Sequence, residues 1–114
     1  MGDSQTPTVL WTGSSGKNGT LTLTQSITRF SELVIDAVEM RFNTLKRFRI
    51  RPETGDVLLD FVSLNFSSGA FAVNGVLITV ADTTITIIGQ RLSGIKDSTG
   101  DLQCLNLTKI TGLR

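Results

Sequence analysis

Histidine and tyrosine are missing from this chain of 114 residues, and cysteine and tryptophan occur once each. Without histidine the chain lacks the usual general base, the commonest metal ligand and the side chain that switches charge near neutral pH. The single thiol, Cys104, rules out an intrachain disulfide and a cysteine-based zinc cluster. It lies in the alternating stretch Leu102-Gln103-Cys104-Leu105, which favours a small buried side chain over a reactive thiol. Formal charge nearly cancels at +1, so no global bias points to nucleic acid or to an acidic substrate. No apolar run is long enough to span a bilayer, and residues 1–5 carry neither the basic nor the apolar region of a signal peptide. Neither membrane insertion nor signal-peptide secretion is expected, and no cofactor or metal motif is present.

What the chain does have is strand-forming apolar sequence, concentrated in residues 57–89. The run opens Val57-Leu58-Leu59-Asp60-Phe61-Val62-Ser63-Leu64-Asn65-Phe66, and two more apolar stretches, 70–80 and 84–88, follow. Both parities carry large side chains: Val57, Leu59 and Phe61 on one, Leu58, Val62, Leu64 and Phe66 on the other. A strand that is apolar on both faces is covered on both sides. A chain this short has few layers of its own to supply the second cover. Another copy of the same chain is therefore expected over Leu58, Val62, Leu64 and Phe66, the predicted oligomer interface.

Elsewhere the period is also two. Residues 1–7 read as a flexible lead-in or linker, and 8–114 as one domain of ordinary core size. Residues 12–19 read as a turn-rich loop ending in Asn18-Gly19, the strongest short hairpin signal in the chain. Leu21 and Leu23 alternate with threonines, and Ile27 and Phe30 turn inward at a tight bend. Residues 32–40 and 45–51 read as strands, with Pro52 ending the second. Asn74-Gly75 marks a hairpin or a bulge within 70–80. Residues 93–100 read as a surface loop and 101–110 as a last strand. About eight strands at spacings near ten residues predict an all-β, antiparallel, jelly-roll-like sandwich.

Three residue sets are candidates for chemistry. Arg47, Arg49 and Arg51 share one strand face, with Arg41 and Lys46 nearby. Planar guanidinium groups so placed can bind anionic sugar or phosphate, pair with Asp36, Glu39 or Asp60, or simply guard a solvated strand. Glu32, Asp36, Asp56 and Asp60 supply the carboxylates that glycoside cleavage needs in facing pairs, but no spacing singles out a pair. Trp11 can stack on a sugar ring or plug the core. With so few aromatics, polar loops offer the more natural contact surface: residues 12–18, including Ser14, Lys17 and Asn18, then 67–69 and 93–99. The arginine stripe lacks interleaved aromatics for stacking bases, since Phe48 has the opposite parity.

Both ends of the chain carry a family resemblance. Val9-Leu10-Trp11-Thr12-Gly13, then Gly19-Thr20-Leu21-Thr22-Leu23-Thr24-Gln25-Ser26-Ile27 and Phe30-Ser31-Glu32-Leu33, resembles the start of a C-terminal domain of bacteriophage tail fibre and tailspike proteins. Leu107-Thr108-Lys109-Ile110-Thr111-Gly112-Leu113-Arg114 resembles its ending, and residues 41–56 lie outside the similarity. The resemblance implies a homotrimeric receptor-binding head at the tip of a virion tail fibre, made in the bacterial cytoplasm and joined to an upstream shaft. Such heads bind host-surface polysaccharide or lipopolysaccharide, or only assist trimer assembly; family depolymerases keep their chemistry in a separate β-helix. On this reading the chain is not an enzyme, and a small carbohydrate-active enzyme is the remaining alternative. The glycan-contact candidates are Trp11, Ser14, Lys17, Asn18, Arg47, Arg49 and Arg51.

Overall fold

The computed structural model describes residues 6–92 and 103–114. Eight strands dominate them: β1 (Thr8–Ser15), β2 (Gly19–Thr22), β3 (Glu32–Glu39), β4 (Thr44–Ile50), β5 (Gly55–Leu64), β6 (Phe71–Val80), β7 (Thr84–Leu92) and β8 (Leu105–Leu113). They pair antiparallel in two four-stranded sheets, A in the order β1-β8-β3-β4 and B in the order β2-β7-β6-β5. The chain is thus an antiparallel β-sandwich. First pairs with last and second with seventh, the nesting that makes it jelly-roll-like. Between them the path is simpler, with β3 and β4 adjacent in one sheet and a β5-β6-β7 meander in the other.

Alternation explains which side chains fill the space between the sheets. Leu10, Leu33, Ile35, Leu107 and Ile110 of sheet A share one buried cluster with Leu21, Leu59, Val76, Ile78, Ile85 and Ile87 of sheet B. Each such side chain is worth about 1.5–3 kcal/mol when fully buried. Cys104 belongs to the same cluster, as its apolar setting predicts. Ile27 and Phe30 are buried at the 3-10 turn Ile27–Arg29, which Ser26 caps by accepting from the Thr28 amide.

Where β4 and β5 form neighbouring edges, Phe48 and Phe61 meet edge to face at 6.0 Å and close the gap between the sheets. Lys46 has the inward parity of Phe48, not that of the arginines, and its Nζ donates to the Val62 carbonyl at 3.1 Å. A cation thus occupies an acceptor on the long β5 edge, which hinders edge-to-edge pairing.

A polar bridge runs through the core beside the β3–β4 turn. Glu39 is 1% exposed. Its carboxylate accepts from the Arg41 and Phe42 amides and from Ser63 Oγ, which in turn accepts from Asn74 Nδ2. Asn43 turns the chain there with a φ of 59°, a left-handed conformation that asparagine tolerates. Among the described residues no buried side-chain nitrogen or oxygen lacks a partner.

At the opposite end Phe30 lies flat against Gly112, and the Arg114 guanidinium sits 5.3 Å from the ring centroid. A Cβ at Gly112 would fall between 2.5 and 2.7 Å from three atoms of that buried ring. Gly112→Ala is therefore expected to destabilise the fold by about 1–3 kcal/mol through overpacking. Urea unfolding measures it, and an unchanged midpoint would show that the ring can give way.

Some local turn signals are overridden. Asn18-Gly19 does not close a hairpin, because β1 joins sheet A and β2 joins sheet B. The expected loop at 12–19 is shorter, since β1 runs through Ser15. Asn74-Gly75 neither splits nor bulges β6: the register with β5 runs unbroken, and Asn74 is drawn inward by its bonds to Ser63 and the Ala72 carbonyl. The bulge lies instead on β7, where Ile78 pairs with Ile87 and Leu77 with Gly89, leaving Ile88 extra. The last strand starts at Leu105 and extends to Leu113. The loop expected at 93–100 lies outside the described residues.

Candidate functional site

The outer face of sheet B is the most unusual surface. Inward alternation of Leu59, Ser63, Ala72, Asn74, Val76 and Ile78 leaves the other parity of β5 and β6 facing out. Register aligns these residues in rows: Leu58 with Leu77, Val62 with Val73, Leu64 with Phe71. Phe71 is 68% exposed, Leu58 58% and Leu64 51%, while Phe66 at the β5–β6 turn is 94% exposed. Val62, Val73 and Ile88 are exposed as well. Isolated exposed apolar side chains are ordinary; adjoining rows of them mark a contact surface. Of the expected interface residues, Leu58, Val62 and Leu64 stand here, and Phe66 is exposed in the adjoining turn. Phe71, Val73 and Ile88 join them, and the even spacing of Phe71, Val73 and Leu77 in β6 already carried that signal.

This apolar field ends where the face turns polar. Thr79 donates to Asp56 at 2.7 Å, and Thr20 and Thr86 share a hydroxyl bond of 3.1 Å.

A second feature is a cleft of about 460 Å³ bordered by Ser14, Lys17, Asn18, Met40, Gln103 and Asn106. Gln90 stitches its wall, donating to the Gly16 carbonyl and accepting from the Cys104 amide. Ser14 donates to Asn106 Oδ1 at 3.0 Å, leaving the Asn106 amide nitrogen without a partner among the described residues. Among the described residues Lys17 is the only charged one in the lining. Of the glycan candidates, Ser14, Lys17 and Asn18 thus stand together, and Met40, Gln103 and Asn106 are lining residues that loop composition could not point to. Trp11 is not among the lining residues. It is half-buried, packs on the core and lays its ring over Gly13, the plug arrangement.

The arginine stripe is on the outer face of sheet A, on another side of the molecule. Asp36 pairs with Arg47 across β3 and β4, Nε to Oδ1 at 2.7 Å, and Glu32 takes Arg49 at 2.7 Å. The Asp36 hydrogen bond, then its charge, raises the Arg47 pKa above the ordinary guanidinium value. Arg51 is exposed just past the end of β4. Two other acids do not meet the stripe within one chain: Glu39 points into the core, and Asp60 is exposed on the far face of sheet B. A groove bordered by Asp36, Arg47, Arg49, Lys109 and Thr111 combines both signs of charge.

The carboxylates do not converge on a bond. Glu32 and Asp36 lie on the outer face of sheet A, and Asp56 and Asp60 on that of sheet B. Within each pair a four-residue step spans about 13 Å along a strand, beyond the roughly 5–9.5 Å separations used in glycoside cleavage.

Topology brings the β1–β2, β3–β4 and β5–β6 connections to one end, joined there by the Glu39–Ser63 bond. Thr8 and Gly112 pair at the other end, near the Ile27–Asp82 bond that ties two further connections. The cleft therefore opens away from the start of β1 and the end of β8. No protein-family model and no curated protein matches this chain.

Proposed function

We propose that this chain is a non-enzymatic, fibre-type receptor-binding module that assembles with copies of itself, as a trimer, and contacts host-surface glycan. One observation carries the assembly half: the adjoining apolar rows on the outer face of sheet B, exposed in the single chain. A closed ring of copies covers such a face and remains finite. The glycan half draws on the resemblance of both chain ends to phage tail fibre domains. Its support in the fold is the polar cleft at Ser14, Lys17 and Asn18, which opens away from the end where β1 starts and β8 finishes. Weak sites of this kind gain strength through avidity when three act together.

A purely structural assembly module is the second reading, favoured by one observation. Arg47 and Arg49, which could have met an anionic glycan, are already engaged by Asp36 and Glu32 of the same chain. Light scattering and whole-bacterium binding separate these. The expected result is a trimeric mass with retention on glycan-bearing cells. A trimer that binds no cell or glycan points to the structural module, and a monomer at every concentration overturns both.

A further inference from the structure

One row of the apolar face is different. β5, β6 and β7 place Asp60, Gly75 and Arg91 side by side across the sheet. Asp60 and Arg91 are both exposed and lie about 10 Å apart, two strand spacings. Neither makes an ion pair among the described residues, whose pairs are Arg47–Asp36 and Arg49–Glu32. Gly75 carries no side chain between them, and Leu58 Cδ1 leans over it, 3.2 Å from where a Cβ would stand. Leu58–Leu77 flanks the row on one side and Val62–Val73 on the other. An acid and a base are thus held at opposite margins of an otherwise apolar surface.

We infer that this row sets how copies of the chain dock: the rotation axis runs parallel to β6, and Asp60 of each copy pairs with Arg91 of the next. This rests on the self-assembly reading and adds the geometry. Rotation about an axis parallel to the strands preserves height along them while bringing the β5 side of one copy to the β7 side of its neighbour. Acid then meets base at the level of Gly75, whether two copies or three close the ring. An axis across the strands, within the contact plane, sets Asp60 against Asp60 and Arg91 against Arg91. Like charges so placed oppose association, while opposite charges select register more than they add affinity.

The test is a charge exchange in the full chain, followed by sedimentation and light scattering. Asp60→Arg alone and Arg91→Asp alone are each expected to weaken association by about tenfold or more, since each sets like charges together. Asp60→Arg with Arg91→Asp should restore it. Both residues are exposed, so circular dichroism should show an unchanged fold. Single variants that assemble like the parent, or a double variant no better than the singles, overturn the pairing while leaving self-assembly intact. A parent chain that is monomeric overturns the assembly reading and this geometry with it.

Discussion

Placing lysines at Leu58 and Phe71 should reduce the proposed self-assembly to monomers while the sandwich itself stays folded. Both side chains face outward from β5 and β6, on rows that flank the centre of the apolar face. Neither contributes to the buried cluster between the sheets, so the core keeps its packing. Removing each from a buried contact forfeits about 1.5–3 kcal/mol, and the new ammonium groups must be desolvated if the copies still meet. Two such losses correspond to about a hundredfold or more in dissociation constant. Light scattering reads the mass and circular dichroism the fold. An unchanged mass would mean that the copies meet elsewhere, and this apolar face would then need a different occupant.

The second large effect concerns stability. Glu39→Ala should cost about 3 kcal/mol or more of unfolding free energy, seen as a lowered urea midpoint. Truncation removes an acceptor for the amides of Arg41 and Phe42 and for Ser63 Oγ at one stroke. Ser63 is 1% exposed and Asn74 3%, so their groups cannot simply turn to water. Hydrogen bonds to a charged acceptor are worth more than neutral ones, and orphaning buried donors costs their full desolvation. Glu39→Gln keeps one acceptor oxygen and should fall between the parent and the alanine variant. If alanine proved harmless, water would have to enter between the sheets and replace the carboxylate. Ser63→Ala then separates the cases, because it removes the link to Asn74 but leaves the turn amides capped.

These two residues also show how far linear patterns reach. A period of two made most of the sandwich legible, since alternation dictates which side chains share a strand face whatever the neighbour is. It placed Leu21 and Leu23 inside and gave Leu58, Val62, Leu64 and Phe66 the parity of a second apolar face, while the bend at 26–31 turned Ile27 and Phe30 inward. Turn chemistry was a poorer guide. Asn18-Gly19 is locally suited to a hairpin, but the strands on either side join different sheets, and burial of Leu21 and Leu23 outweighs the local preference. Asn74-Gly75 reads as a break, yet Asn74 finds partners inside the core and Gly75 continues the strand. The arginine stripe was visible as a row with Asp36 among its possible partners, but that Glu32 takes Arg49 follows only from β3 lying beside β4.

By itself, the sequence determined that this is an all-β chain with more apolar strand surface than one small sandwich encloses. Strand periodicity is a property of successive residues and needs no knowledge of partners. Tertiary structure alone decided that Glu39 is an internal acceptor instead of an arginine partner, that Ser14, Lys17, Asn18, Gln103 and Asn106 border one cleft, and that Asp60, Gly75 and Arg91 form one row. Each depends on strand order and register, which bring residues far apart in the chain to within a few ångströms. No local pattern records that juxtaposition, because the free energy choosing it comes from packing the two sheets as a whole.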